Sequence, residues 1–187
     1  MNYEIINLKN NYILRKMQID DLDNYYNNNF NPLDEDISIF TGCKDSFSYE
    51  EIKNYFYNCL NNPNRVDFFI INPANNIIGE SVLNEIDYKN KSANFRIAIF
   101  KKNERNKKIG SLVIEETIKY GFLNLNLDKI TLDVFSFNKR AKKSYEKAGF
   151  KIESIMKNDI SLNGVFYDDI SMYITKDMWI YNNKNNI

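Results

Sequence analysis

The strongest constraint on the fold is a run of three apolar segments between residues 67 and 100, joined by turns that are too short to contain a helix. The first segment, DFFII, is continuously apolar; the second, IIGESVLNEI, covers Ile77–Ile86; and the third, ANFRIAIF, alternates over 93–100. Such segments are typical of strands, and strands joined by short turns run antiparallel. The segment therefore predicts a three-stranded antiparallel meander.

A change of periodicity after the meander predicts a parallel strand pair. A helical pattern runs over Ile109–Leu123, and KITLDV then alternates as a strand over 129–134. A helix between two strands is the βαβ arrangement, whose strands are parallel. Asn138 and Gly149 are favourable N-cap and C′ residues for a further helix. Asn163-Gly164 predicts a tight hairpin between the last two strands.

The first third of the chain predicts one strand and two helices. Tyr12–Met17 is a strand candidate, and a helical pattern begins near Asp20. Ser48 followed by Glu51 is a capping-box signature for a second helix, which the sequence NNPN ends. At the other end of the chain, the polar residues 181–187 predict a frayed tail.

This order of elements predicts the α/β class, with a single mixed, mostly antiparallel central sheet of about seven strands flanked by about four helices. The length of 187 residues fits a single domain over 1–187, with a core at about 11–176.

Composition narrows the chemistry. The chain contains no histidine, which excludes Ser-His-Asp triads, Cys-His dyads and histidine zinc sites. Proton transfers must therefore use Glu, Asp, Tyr, Lys or water. A net charge of zero predicts no nucleic-acid partner, and no apolar stretch approaches the length of about 18 residues that a membrane helix needs. We expect a cytoplasmic protein with no metal and no membrane attachment.

A basic loop enters the central helix. Arg105, Lys107 and Lys108 precede Gly110, which opens the helical pattern. A helix N-terminus presents unpaired amide groups and the positive end of the helix dipole, and both favour an anion. By itself this pattern leaves two interpretations open: a pyrophosphate site, or a lysine-rich surface loop.

Downstream residues favour the first interpretation. The loop and the segment VFSFNKRAKKSYEKAGF at 134–150 together resemble the GNAT superfamily of N-acetyltransferases, whose loop reads R/Q-x-x-G-x-G/A. The resemblance covers nearly the whole chain. ILR near residue 14 and FYDDISM at 166–172 are similar to the ribosomal-protein and spermidine acetyltransferase branch.

The resemblance implies a GNAT fold, acetyl-CoA as co-substrate and a primary amine as acceptor. It implies that the pantetheine arm pairs with the third meander strand, where a backbone N–H near Ile97–Ile99 polarises the thioester carbonyl. The implied cofactor-binding residues lie in that strand, in the basic loop and in the following helix: Ile97, Ala98, Ile99, Arg105, Asn106, Lys107, Lys108, Ile109, Gly110, Ser111, Asn138, Ala141 and Lys143.

The loop departs from the family pattern at two glycine positions. Asn106 and Lys108 stand where the family commonly has glycine. A lysine with positive φ would be strained. We therefore expect the backbone at 108 to be close to a helical first turn, which lysine tolerates.

The resemblance also implies a proton donor. Tyr145 is the candidate that protonates the departing CoA thiolate, although it is one of 13 tyrosines and packing alone would explain it. A thiol pKa of about 8.5 against a tyrosine pKa of about 10 makes this transfer mildly uphill.

The proton acceptor is less well defined. Asn94 stands where many relatives have Glu and cannot accept a proton. Glu80 and Glu85 on the preceding strand are the candidates, on opposite faces of it; for both, a solvated surface residue remains an alternative.

The acceptor is an amine of unspecified kind: a polyamine, a protein N-terminus or another small amine. Carboxylates are frequent over residues 20–60, which would favour a cationic amine but equally suits an ordinary solvated surface. Two other functions stay open, a catalytically inactive acyl-CoA-binding protein of the same fold and a nucleic-acid-binding module. The oligomeric state is open, and a homodimer is one option.

Overall fold

The computed structural model describes residues 5–184. These residues form eight strands and six α-helices, in the following order. The elements are β1 (Ile5–Asn7), β2 (Ile13–Lys16), α1 (Leu22–Asn29), α2 (Glu35–Thr41), α3 (Tyr49–Leu60), β3 (Val66–Ile71), β4 (Ile77–Asp87), β5 (Ser92–Ile99), α4 (Ile109–Leu123), β6 (Lys129–Phe135), α5 (Lys139–Lys147), β7 (Lys151–Leu162), β8 (Val165–Thr175) and α6 (Lys176–Lys184).

The strands form one mixed sheet with the order β1-β2-β3-β4-β5-β6-β8-β7. β5 and β6 are parallel, with Ser92–Asn94 in register with Lys129–Thr131, as the βαβ pattern predicts. The pairs β1–β2, β2–β3, β3–β4, β6–β8 and β7–β8 are antiparallel. The α/β class and the mixed, mostly antiparallel sheet are thus confirmed.

Three short elements, β1, α2 and α6, were not predicted from the sequence. β1 has three residues and α2 has seven, which is too few for periodicity to identify them. The expected frayed tail is wrong for residues 181–184, which continue α6, and its remainder at 185–187 lies outside the described residues.

The capping and turn residues act as their chemistry predicts. Ser48 and Glu51 form a reciprocal capping box on α3, and the Asn138 side chain accepts a hydrogen bond from the Ala141 amide at the start of α5. At the last hairpin, Asn163 and Gly164 have φ values of 51° and 78°, as a type I′ turn requires.

The chain divides into two compact units. The first comprises residues up to Leu83 together with Arg96–Val113, and the second comprises Asn84–Phe95 together with residues from Ile114 onward. In the first unit, Tyr25 is the centre of an aromatic core, stacked on Phe69 at 4.8 Å and edge-on to Phe100 at 6.0 Å.

The second unit has its own aromatic core. Phe95 on β5 lies 6.3 Å from Phe150, which precedes β7. Tyr145 packs edge-on against both rings. Phe122 of α4 contacts Trp179 of α6 at 5.7 Å. Each unit therefore has a core that contains large aromatic side chains.

Candidate active site

The basic loop connects β5 to α4, and its backbone differs from the sequence expectation. Asn106 and Lys108 have φ values of 64° and 63°, and α4 begins at Ile109, after both of them. The expectation of a helical first turn at 108 is therefore wrong. A left-handed residue other than glycine costs about 1–2 kcal/mol, so the loop keeps a glycine-like conformation with a lysine and an asparagine in it.

This conformation suits anion binding. Left-handed residues in a turn can direct successive amide groups to one side, which makes a concavity for an anion. The loop also leads into the N-terminus of the 15-residue helix α4, whose dipole adds positive potential. Ile109 is buried and anchors this helix end, whereas Gly110 and Ser111 are partly exposed.

Arg105 is buried beneath the loop. Its guanidinium, 6% exposed, makes four hydrogen bonds. Nε donates to the Ile99 carbonyl at 2.9 Å, and Nη2 donates to the Phe100 carbonyl at 2.8 Å. Nη1 donates to Asp36 at 2.7 Å, and Nη2 also donates to Asp34 at 3.1 Å. The positive charge of Arg105 is thus compensated inside the protein.

The two loop lysines differ in their partners. The Lys107 ammonium lies 2.7 Å from a Glu104 carboxylate oxygen and 3.2 Å from the Tyr12 hydroxyl, and the hydrogen bond to Glu104 raises its pKa. Lys108 is exposed and makes no ion pair or side-chain hydrogen bond within residues 5–184. Of the three predicted cations, Lys108 is the one whose charge is available to a ligand.

The β5 backbone at Ile97, Ala98 and Ile99 is held close to β4. A Cβ atom at Gly79 would lie 2.4 Å from the Ala98 carbonyl oxygen, so only glycine permits this approach. At Gly110, by contrast, a Cβ atom would meet only the Ile99 Cδ1 atom, at 3.6 Å, which is an ordinary contact. The packing of the protein therefore requires glycine at 79, whereas a Cβ atom at 110 would fit with an ordinary contact.

Tyr145 lies in the second unit, between Phe95 and Phe150, and is 7% exposed. Its hydroxyl has no hydrogen-bond partner in the described part of the chain. Burial raises the pKa of Tyr145 to about 12. The phenol is therefore neutral at physiological pH and has a proton to donate.

Three further predicted cofactor residues lie on or beside α5. Asn138 caps the helix, with its side-chain oxygen 3.2 Å from the Ala141 amide nitrogen. Ala141 is partly buried. Lys143 is exposed and has no ion-pair partner among residues 5–184. The cap occupies the Asn138 oxygen with one donor, so its second lone pair remains available.

The two candidate proton acceptors have different environments. Glu80 is buried; the Tyr25 hydroxyl donates to one of its oxygens at 2.6 Å, and Arg96 lies 3.4 Å from the other. Burial is the main cause that raises the pKa of Glu80. Glu85 is exposed, and its φ of 52° interrupts the regular strand geometry of β4.

A polar network that the sequence analysis did not identify extends from Glu80. Arg96, 48% exposed, also donates to the Tyr55 hydroxyl at 3.1 Å. Arg65 donates to the same hydroxyl at 2.8 Å and holds Asp67 through two bonds of 2.7 Å. Residues 65 and 67 share a strand face by their spacing, which is the one local signal of this network.

The carboxylates over residues 20–60 mostly have partners within the chain. Asp21 pairs with Arg15 at 2.6 Å, and Asp23 accepts a hydrogen bond from Tyr49 at 2.8 Å. Asp34 and Asp36 hold Arg105. This region is therefore less negative toward an approaching cation than its composition suggests.

Residues 5–184 contain neither a metal site nor a membrane-spanning helix. No group of three or more Cys, Asp and Glu side chains is placed to hold a metal ion. None of the helices there has the length and apolar character needed to cross a membrane.

The sequence is similar to known acetyltransferases. Residues 11–151 match the family described as the Acetyltransferase (GNAT) domain. The spermidine N(1)-acetyltransferase of Vibrio cholerae is 29% identical over 133 residues, which are 71% of this chain and 76% of that protein. The spermidine N(1)-acetyltransferase of Escherichia coli is 29% identical over 100 residues, which are 54% of this chain and 53% of that protein.

A solved structure extends the match to nearly the full length. The crystal structure of spermidine N-acetyltransferase from Vibrio cholerae in complex with CoA and spermine superposes with a TM-score of 0.79 at 27% identity. The match covers 90% of this chain and 98% of that one.

A mixed sheet with a parallel β5–α4–β6 arrangement, together with these matches, defines an acetyltransferase of the GNAT type. The chain belongs to the GNAT acetyltransferase family. It is an acyltransferase that uses acetyl-CoA for N-acetylation, and its resemblance to the spermidine acetyltransferase branch is confirmed.

The left-handed backbone at Lys108 predicts the effect of a single substitution. Lys108→Gly should raise the free energy of unfolding by about 0.5–1 kcal/mol, because relief of the left-handed strain outweighs the backbone entropy of glycine. Urea unfolding of the ligand-free protein measures this. Lys101→Gly is the control, since Lys101 has a φ of −86° and should lose stability. Equal losses in both variants would contradict the strained conformation.

Proposed function

We propose that this chain transfers the acetyl group of acetyl-CoA to a primary amino group of a small polyamine, within a single domain that spans 1–187. The observation that carries the proposal is the similarity to a spermidine N-acetyltransferase described in complex with CoA and spermine, across 98% of that chain. The thioester is already activated, so the protein must position two reactants and assist two proton transfers.

The proposed cofactor site starts at the loop. The pyrophosphate would lie against the amide groups of 106–111, with the Lys108 ammonium and the positive end of α4 beside it. Gly110 has no side chain, which supports close approach of a phosphate to the backbone. The pantetheine arm would pair with the backbone of Ile97–Ile99. In the second unit, Asn138, Ala141 and Lys143 are proposed as cofactor contacts on the resemblance to the family.

Tyr145 is the proposed proton donor to the departing thiolate. The gap between its pKa of about 12 and a thiol pKa of about 8.5 corresponds to about 5 kcal/mol against full proton transfer. A hydrogen bond from the phenol to the developing thiolate avoids most of that cost, because the donor is neutral and otherwise unpaired. We therefore propose that Tyr145 stabilises the thiolate and transfers its proton as CoA leaves.

Glu80 is the proposed proton acceptor for the ammonium form of the amine. The raised pKa of Glu80 is closer to the pKa of the substrate ammonium group, which makes Glu80 a better general base. The Arg96 guanidinium, 3.4 Å from a Glu80 oxygen, partly compensates the buried negative charge of Glu80. Glu85 is the alternative, because it is exposed and close to solvent.

An acceptor panel tests the proposed substrate class. With acetyl-CoA present, release of free CoA should be at least tenfold faster, at limiting amine, with spermidine or spermine than with an amino acid or a peptide N-terminus. A thiol-reactive dye measures the release. A preference for neutral or anionic amines would reject the polyamine and leave the N-acetyltransferase activity in place.

A substitution at Tyr145 tests the proton donor. Tyr145→Phe should lower kcat by about 10²-fold, the usual contribution of a general acid, and leave the Kd for CoA unchanged. Stability should not fall, because the lost hydroxyl has no protein partner. Tyr167→Phe is the matched control, since Tyr167 packs edge-on against Phe137 in the same unit. A kcat equal to that of the control would reject the role.

We also propose that the chain forms a homodimer through β7. This strand is an edge of the sheet, and apolar side chains are exposed along the β7–β8 hairpin: Ile152, Ile155, Met156, Val165 and Phe166. An exposed apolar edge strand invites pairing, and an antiparallel edge is complementary to its own copy under two-fold symmetry.

Sedimentation velocity tests this association. The wild-type chain should sediment as a dimer and Ile155→Lys as a monomer, because a charge cannot be buried unpaired in an apolar interface. Tyr88→Lys, at another exposed apolar side chain in the β4–β5 turn, should leave the dimer intact. A wild-type monomer at micromolar concentration would contradict the proposal.

A further inference from the structure

Arg105 ties the cofactor loop to the amino terminus of α2. Asp34 is the N-cap of α2 and accepts a hydrogen bond from the Asp36 amide. The same Asp34 side chain accepts one from the Lys102 amide, at 3.1 Å, in the segment just after β5. Asp34 and Asp36 both hold the guanidinium of Arg105. The helix end and the loop entry thus form one hydrogen-bonded cluster.

This cluster fixes the backbone immediately before the loop amide groups of 106–111. Arg105 donates to the carbonyl groups of Ile99 and Phe100, so its orientation sets the end of β5. The next residue, Asn106, is left-handed, and so is Lys108. Strained conformations of this kind persist only where the surrounding structure determines them.

A second contact set holds the other side of the loop entry. Glu104 accepts hydrogen bonds from Tyr12 at 2.6 Å, from Lys107 at 2.7 Å and from Asn72 at 3.2 Å. Residues 104 and 105 are therefore both anchored to the body of the first unit without a ligand. A loop held in its binding conformation avoids the entropy cost of ordering when the ligand arrives.

We propose that Asp34 and Asp36 are positioning residues for the coenzyme A loop. They act through Arg105, which holds the start of the loop in place and does not bind phosphate. This inference rests on the proposed role of the loop in cofactor binding. Its physical basis is charge: two carboxylates face one buried guanidinium, and four of the five N–H donors of Arg105 are occupied before any phosphate approaches.

The two possible roles of Arg105 predict opposite results for one substitution. If Arg105 bound phosphate directly, removal of one competing carboxylate would free the guanidinium and tighten CoA binding. If Arg105 positions the loop, the same change loosens the loop and weakens binding. Asp36→Asn makes this change while Asp34 still pairs with the guanidinium, so no buried charge is left isolated.

Titration calorimetry of the full chain with CoA measures the effect. The Kd should rise about tenfold in Asp36→Asn, equivalent to about 1.4 kcal/mol, and return to within about twofold of wild type in Asp36→Glu. Glu35→Gln is the matched control, because it neutralises a carboxylate in the same first turn of α2 but makes no contact with Arg105. Its Kd should stay at the wild-type value.

Steady-state kinetics separates positioning from a general loss of structure. In Asp36→Asn, the KM for acetyl-CoA should rise in parallel with the Kd, while kcat and the KM for the amine stay within about twofold, since only the loop is affected. An unchanged or lower Kd for CoA would overturn the inference. An equal loss in kcat and in both KM values would also overturn it.

The wild-type titration keeps this test distinct from that of the proposed function. CoA binding by the wild-type chain with an unaltered Asp36→Asn variant rejects the positioning role alone. No CoA binding by the wild-type chain rejects the proposed cofactor loop, and the positioning role with it.

Discussion

The buried guanidinium of Arg105 links the loop before α4 to α2 and to the end of β5. A charge with 6% of its side chain exposed is tolerated only because two carboxylates and two carbonyl groups surround it. Those partners come from α2 and from the end of β5, so one side chain joins three parts of the first unit. The left-handed residues that follow it keep a conformation that glycine adopts more easily, and the anchored loop entry explains how they can.

The electrostatics of the loop follow from this arrangement. Sequence alone suggests three cations just before the N-terminus of α4. In the structure, Asp34 and Asp36 compensate the charge of Arg105, and Glu104 compensates that of Lys107. The positive potential that remains comes from Lys108, from the backbone amides and from the helix dipole. Fixed dipoles need no reorganisation when an anion binds, whereas a flexible lysine must lose side-chain entropy. For the proposed pyrophosphate site, backbone geometry would therefore matter more than net charge.

Much of the fold was predictable because its signals are local. The meander, the βαβ unit, the Ser48 capping box and the Asn163-Gly164 turn each depend on residues close together in sequence, and each is observed. The backbone at Lys108 was mispredicted for the opposite reason. Local preference favours φ below zero for lysine, and contacts from Asp34 and Asp36, about seventy residues earlier, act on the loop entry. α2, which carries those contacts, is too short and polar for periodicity to reveal.

The sequence by itself determined the order of the longer elements, the resemblance to the family and the kinds of acid and base available, since a chain without histidine must use Glu, Asp, Tyr, Lys or water. Only the tertiary structure decided which charges are compensated and which proton-transfer groups are buried. Arg105 meets its carboxylates across separations of 69 and 71 residues, and Glu80 meets the Tyr25 hydroxyl across 55. The pKa shifts of Tyr145 and Glu80 arise from burial, which is a property of packing and has no local signature in the sequence.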